Sequence, residues 1–187
     1  MTARLVASIE CNQMCWRPIL SAAFSCLPTI AASQAASELI TPVRVEASST
    51  FFTYREANLI NNSGLSSGRH DSLYTGMWLN DQDGATGTIT FDLGRIYSLV
   101  SVDVWQYSFV PARGVRGLSI LSSQDGLDYR LLKLGRLEAV SESGPSREQT
   151  VPIEAVARFV RFVITSNWGD SEYTGLAEVK FRTVPGY

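Results

Sequence analysis

Two stretches of the chain carry side chains suited to recognising a small polar ligand. One is Tyr107-Ser108-Phe109-Val110-Pro111-Ala112-Arg113, aromatic-rich and ending in a guanidinium. The other is Asn167-Trp168-Gly169-Asp170-Ser171-Glu172-Tyr173. Flat rings lie well against the C–H faces of a sugar, while a few fixed polar groups read its hydroxyls. Arg113, Asn167 and Asp170 are the candidate hydroxyl readers; Trp168 and Tyr173 are the candidate platforms, with Tyr107 beside them. Trp168 is favoured because the Asn, Gly, Asp and Ser around it cannot bury it locally. Trp78 and Trp105 border or lie in strand-like runs and are expected in the core. Arg113 and Arg116 have a plainer alternative, bracing a turn through carbonyl oxygens.

Oxygen donors concentrate elsewhere. Between Ala57 and Met77 the chain holds Asn58, Asn61, Asn62, Ser63, Ser66, Ser67, His70 and Asp71 among glycines. A long ordered loop of this kind usually carries a function or an ion. Ca²⁺ takes six to eight oxygen ligands from carboxylates, amides and carbonyls. The same Asn and Ser side chains can instead cap turns. Catalysis finds little support. A Ser-His-Asp relay needs a histidine, and His70 is the only one, with no nucleophile elbow around it. Asp170 and Glu172 form a carboxylate pair without the surroundings of a glycosidase. Phosphate-cradling glycine loops and zinc-type ligand spacings are missing, so the expected protein is not an enzyme.

Composition narrows the partners further. The 187 residues carry a formal net charge of −2, which gives no footprint for nucleic acid or an anionic membrane. Positive charge resides mostly in arginine; Lys133 and Lys180 are the only lysines. Cys11, Cys15 and Cys26 all precede residue 38, which excludes a disulfide framework in the remainder of the chain. Residues 1–37 read as a leader: Arg17, an apolar run from Pro18 to Ala32, then small residues to Ser37. That is the pattern of a secretory signal peptide, with cleavage expected after Ala35 and Met14 suspected as the true start. The run is too short and Pro-interrupted for a membrane span, so the mature chain is expected to be secreted or periplasmic.

The elements that must position the loops are strands. Thr88 to Leu93 alternates, with Ile89, Phe91 and Leu93 on one face. Val100 to Trp105, Leu118 to Ser122, Tyr129 to Leu134, Phe159 to Thr165 and Leu176 to Phe181 continue the set. Turn residues separate them at Asp83-Gly84, Gly94, Gly114, Asp125-Gly126, Gly144-Pro145 and Gly169. Ile153 to Ala157 is expected to form at most a turn. Regular short strands without helical periodicity indicate an all-β sandwich or barrel, a single domain over residues 38–187.

The order and spacing of Trp78, Phe91-Asp92-Leu93-Gly94, Arg113-Gly114-Val115, Ser123-Gln124-Asp125-Gly126, Ala157-Arg158-Phe159-Val160-Arg161 and Leu176-Ala177-Glu178-Val179 resemble the discoidin family, or factor 5/8 type C domains. The bacterial family 32 carbohydrate-binding modules are the most similar branch. The resemblance runs from about Thr41 to Arg182 and implies a galactose-binding-like β-sandwich with jelly-roll topology. It implies non-catalytic binding of a carbohydrate or glycosylated surface, with an Arg matching Arg113 and an aromatic matching Trp168 at the loop tips. It also implies a structural Ca²⁺ in a loop beginning Ala57-Asn58-Leu59-Ile60-Asn61-Asn62 and closed by Glu178, giving Asn58, Asn61, Asp71 and Glu178 as candidate ligands. Asn61-Asn62 stands where the family usually has Asp-Gly. The family's usual sugar-reading His has no secure match, which leaves galactose-type specificity open. The rival expectation is an adhesion or envelope-structural protein that uses Tyr107 to Pro111 as an apolar spike. It predicts Phe109 and Val110 exposed at a loop tip; glycan binding predicts Arg113 and an aromatic converging.

Overall fold

The computed structural model describes residues 37–185. The leader, its three cysteines and the expected cleavage after Ala35 lie outside the described residues. Ten strands succeed one another: β1 (Glu38–Ile40), β2 (Arg44–Ala47), β3 (Leu65–Ser66), β4 (Arg69–His70), β5 (Trp78–Leu79), β6 (Gly87–Gln106), β7 (Val115–Ser123), β8 (Arg130–Arg136), β9 (Ser146–Asn167) and β10 (Gly175–Thr183). Three 3₁₀ turns, Glu56–Leu59, Tyr74–Gly76 and Pro111–Arg113, punctuate the loops. Among the described residues no helix is long and apolar enough to cross a membrane.

The sandwich is made by two long strands that change layer. The first half of β6 pairs antiparallel with the second half of β9, from Gly87↔Ile164 to Asp92↔Phe159. After a register shift the second half of β6 pairs with the first half of β9, from Tyr97↔Ala157 to Trp105↔Glu148. The corner falls at Gly94, whose φ of +85° suits glycine, with Asp92 accepting the Gly94 N–H at 2.8 Å. β2, β7 and β8 extend one layer, and β10, flanked by β1 and β5, extends the other. The layers meet through Phe91, which packs edge-on against Phe162 of its own layer at 5.1 Å and Phe181 of the other at 5.5 Å. Alternation sets this burial: Ile89, Phe91 and Leu93 face inward while Thr88, Thr90 and Asp92 are half-exposed.

Two expectations change. The runs Thr88–Leu93 and Val100–Trp105 are one strand rather than two, because the bend at Gly94 redirects the chain without ending its pairing. Ile153 to Ala157 is no turn: it lies within β9, paired to β6, with Ile153 and Ala157 buried. Trp78 and Trp105 are both buried, as a core role requires, and their indole N–H groups donate to the Ser49 and Gly68 carbonyls at 3.1 Å each.

Candidate functional site

The chain reversals between layers place four loops at one end of the sandwich. They are the segments 48–56, 80–86, 107–114 and 168–174. Backbone bonds tie them together: Phe51 to Leu79, Asn80 to Thr174, Gly84 to Glu172, and both Trp168 and Asp170 to the Ala112 carbonyl.

Arg113 closes the 3₁₀ turn Pro111–Arg113, where proline pre-sets the first φ. Its Nε donates to Asp170 Oδ2 at 2.9 Å, and its guanidinium lies 4.5 Å from the centre of the Tyr173 ring. Asp170 Oδ1 accepts the Glu172 and Tyr173 N–H groups at 2.9 and 2.8 Å. Burial alone would raise the Asp170 carboxyl; the Glu172 N–H, Arg113 and the Tyr173 N–H outweigh it and hold it below the ordinary carboxylate range. For Arg113, burial opposes the charge and Asp170 more than restores it. Arg113 and Tyr173 are thus fixed in place before any ligand arrives.

The other candidate ligand residues take different positions. Asn167 is buried and binds its own loop: its Nδ2 donates to the Asp170 and Tyr173 carbonyls at 2.7 and 2.9 Å, and its Oδ1 accepts the Gly169 N–H at 2.9 Å. Tyr107 is fully buried, and its enclosed hydroxyl has no hydrogen bond of good geometry, although Arg113 and Tyr54 lie close enough to act on it. Burial, foremost, and Tyr54 push its phenol above the ordinary value. Trp168 is half-buried and meets Arg116 and Arg136, 5.2 and 5.5 Å from its ring centre. Its indole N–H is enclosed without an acceptor.

Around Arg113 and Tyr173 runs a line of aromatic rings. Phe52 meets Phe51 at 4.7 Å, and Phe51 meets Tyr173 at 5.1 Å and Tyr54 at 5.9 Å. Tyr54 meets Tyr74 at 5.5 Å, which meets Phe109 at 5.8 Å. Phe52 is 80% exposed and Tyr74 and Phe109 are each 44% exposed. Phe52 also holds a φ of +45°, a left-handed conformation unfavourable for a bulky residue. Such strain, on the most exposed aromatic of the group, is typical of binding surfaces. Sequence reasoning passed over Phe51, Phe52, Tyr54 and Tyr74. The available signal was three aromatics within four residues, Phe51, Phe52 and Tyr54, in the loop that follows β2. The glycan-binding geometry occurs, with Arg113 converging on an aromatic, and the adhesion geometry occurs only in part: Phe109 is exposed, but Val110 packs against the enclosed cluster around Tyr107.

The oxygen-rich loop divides in two. Glu178 on β10 is buried; its Oε2 accepts the Asn62 N–H at 3.2 Å and its Oε1 has no partner. Burial pushes its carboxyl up to about 7, against the opposing pull of Lys180 and the Asn62 N–H. Asn61 Nδ2 donates to Asn58 Oδ1 at 3.2 Å, and Asn58 Nδ2 donates to the Thr75 and Met77 carbonyls at 3.0 Å each. Asn62, with φ +61°, turns the loop onto Glu178. Asp71 belongs to a separate turn, where its Oδ1 accepts the Leu73 N–H at 3.0 Å and its carbonyl lies 2.8 Å from His70 Nδ1. His70 is fully buried there, packed into the loop rather than open to a substrate. Among the described residues no three His, Cys, Asp or Glu side chains gather as a metal cluster. A cation here would therefore draw on amide and backbone oxygens around Glu178. An enclosed carboxylate oxygen without a partner fits a hard cation.

The F5/8 type C domain model matches residues 44–179. Solved structures of similar fold include CBM32-3 from a family 31 glycoside hydrolase of Clostridium perfringens, with 19% identity, 78% of this chain and 90% of that chain covered, and a TM-score of 0.61. The family 32 module of Clostridium perfringens NanJ in complex with galactose gives 14%, 74%, 92% and 0.59 on the same measures. CpGH89CBM32-5 from Clostridium perfringens, in complex with GalNAc-β-1,3-galactose, gives 18%, 74%, 93% and 0.55. No curated protein matches the chain. At these identities the solved structures establish the galactose-binding-like sandwich, and the sequence match establishes the lineage: the chain belongs to the F5/8 type C domain family.

Proposed function

We propose that this protein is a secreted, non-catalytic carbohydrate-binding module whose ligand seats on the loop end of the sandwich. The observation that carries the reading is the convergence of Arg113, held by Asp170, with the Tyr173 ring beside the exposed aromatic line from Phe52 to Phe109. Rings take the sugar's C–H faces; the Arg113 N–H groups not used by Asp170 take hydroxyl or ring oxygens. Trp168 borders this surface with its two arginines, and Asn167 shapes the loop that presents it. Relatives of the same fold were solved with galactose and GalNAc-β-1,3-galactose, which supports this ligand class. A glycan array probed with the full chain, beside Phe52→Ala and Tyr173→Ala, tests the reading. Binding that both substitutions abolish supports it, and binding that survives both contradicts it.

A structural Ca²⁺ belongs to the same proposal. Glu178 would supply the charge, with Asn58 and Asn61 as neutral oxygen donors, and the ion would pin the loop to β10. Asp71 lies in its own turn and is left out of this set.

A second reading has its own support. Phe52, Leu73 and Phe109 are 80, 63 and 44% exposed, as an apolar adhesion surface requires. Co-sedimentation with phosphatidylcholine vesicles that is lost in Phe52→Ala, with the glycan array silent, would favour it.

A further inference from the structure

On the other side of the Trp168 loop the strands build a second group of polar side chains, which the proposed sugar platform does not use. Val115 pairs with Asn167 and Gly117 with Ser166, which leaves Arg116 as the extra residue of a β-bulge. Bulges re-aim side chains, and this one turns the Arg116 guanidinium to within 5.2 Å of the Trp168 ring centre. From the neighbouring strand β8, Arg136 reaches the same ring at 5.5 Å. Arg136, Gly117 and Ser166 lie side by side across three strands, so they share a face.

Gly117 lets two hydroxyls close over this row. A Cβ placed there would sit 2.7 Å from Ser166 Oγ and 2.9 Å from Thr165 Oγ1, so both hydroxyls stand over the glycine in space that a side chain would contest. Among the described residues, Arg116 and Arg136 form none of the ion pairs, although Arg44, Arg113, Arg158 and Arg182 each hold a carboxylate. Both arginines are exposed, and two like charges gathered on one indole repel each other. The enclosed Trp168 N–H adds a donor without an acceptor. A positive, donor-rich patch flanked by two hydroxyls, its arginines in none of the ion pairs, is complementary to an anion held by a charge-assisted fork.

We propose that Arg116, Arg136, Trp168 and the Thr165 and Ser166 hydroxyls over Gly117 form an anion-binding subsite, so that the preferred ligand is an acidic saccharide bearing a carboxylate or a sulfate ester. The inference rests on the carbohydrate reading, because the Trp168 loop joins this patch to the Arg113–Tyr173 platform through Ala112. One sugar chain crossing the loop would place a neutral ring on the platform and an acidic group against the two arginines.

The test uses the full chain and two matched pairs: tetragalacturonate with its methyl ester, and a sulfated galactan tetrasaccharide with its desulfated form. Titrations are followed by calorimetry and by the Trp168 indole N–H resonance, with inorganic sulfate as a separate probe. The expected result is about tenfold tighter binding of one acidic member over its neutral partner, with the indole signal moving. That preference disappears in R116Q/R136Q, and the preferred pair identifies the acidic group as carboxylate or sulfate. Equal affinity within both pairs overturns the subsite while leaving the carbohydrate reading in place. Silence to every saccharide with a response to inorganic sulfate overturns the carbohydrate reading, and the acidic-saccharide ligand with it. Should R116Q/R136Q fail to fold, the wild-type pairs and the loss of their difference in high salt still decide the matter.

Discussion

At the end of the sandwich where β7 turns into β8, polar groups close on one another. Ser123 Oγ accepts the Gly126 N–H at 2.9 Å, and Asp125 Oδ1 accepts those of Leu127 and Asp128 at 2.9 and 3.1 Å. Asp92 takes both Nε and Nη2 of Arg158 at 2.8 Å and the Gly94 N–H besides. At the loop end the pattern reverses. Among the described residues, the buried side-chain atoms without a partner belong to His70, Gln106, Tyr107, Ser108, Trp168 and Glu178, all in or beside the loop half. Folding alone rarely leaves buried polar atoms unmatched, because each costs about 1–3 kcal/mol. One end is finished by folding; the other is left incomplete, with strained Phe52 among its exposed rings.

This contrast can be broken or sharpened by substitution. The largest effect belongs to the shared core: Phe91→Ala should cost about 3–5 kcal/mol, read as a lowered midpoint in urea. A loss near 1 kcal/mol would mean that the layers do not meet through Phe91. Next comes Glu178. Its folded carboxyl sits at about 7, above the ordinary 4.5, so the folded state retains a proton that the unfolded chain releases. In calcium-free buffer this contribution to stability is therefore fullest below about pH 4.5 and is lost as pH rises through 7, while Asp92, Asp125 and Asp170, held low, act in the opposite sense in more acid solution. The melting temperature should fall by several degrees across that window. Glu178→Gln should flatten the slope, and added calcium should restore stability at the alkaline end. A flat profile in the wild-type chain would count against a buried, unmatched carboxylate.

Smaller effects separate the two ends. Gly126 has a φ of +82°, and a Cβ there would sit 3.2 Å from the Phe159 ring. Gly126→Ala should thus cost roughly 1–2 kcal/mol of stability with saccharide binding unchanged. Phe52→Gly should do the converse. Relief of the left-handed strain offsets the lost Phe51 contact, so stability moves by less than about 1 kcal/mol, while saccharide affinity drops severalfold. If Gly126→Ala weakened binding, or Phe52→Gly left it intact, the division of labour between the ends would be mistaken.

How far the chain could be read depends on how far each signal reaches along it. The alternation of Ile89, Phe91 and Leu93 is local, and it placed the buried face. The continuity of β6 and β9 was not legible, since pairing across separations that run from Trp105↔Glu148 to Gly87↔Ile164 is set by the closed sandwich. The same limit applies at the site. Trp168 was readable as a ring its own loop cannot bury, but the company of Arg116 and Arg136 comes from a bulge in β7 and the register of β8. Asn167 and Asp71 show the opposite limit: their polar side chains bind within their own turns, a short-range alternative that composition does not separate from ligand binding. Phe52 was legible as one of three clustered aromatics, with Phe51 and Tyr54, whereas its left-handed φ is invisible in sequence.

The central claim is that the loop end of the sandwich binds carbohydrate. The most direct measurement is backbone NMR of the full chain titrated with galactose and N-acetylgalactosamine. Binding there gives shifts confined to residues 51–54, 73–75, 107–116 and 166–174, with the turn at 123–128 unmoved. Shifts centred on that turn, or none at any saccharide concentration reached, would contradict it.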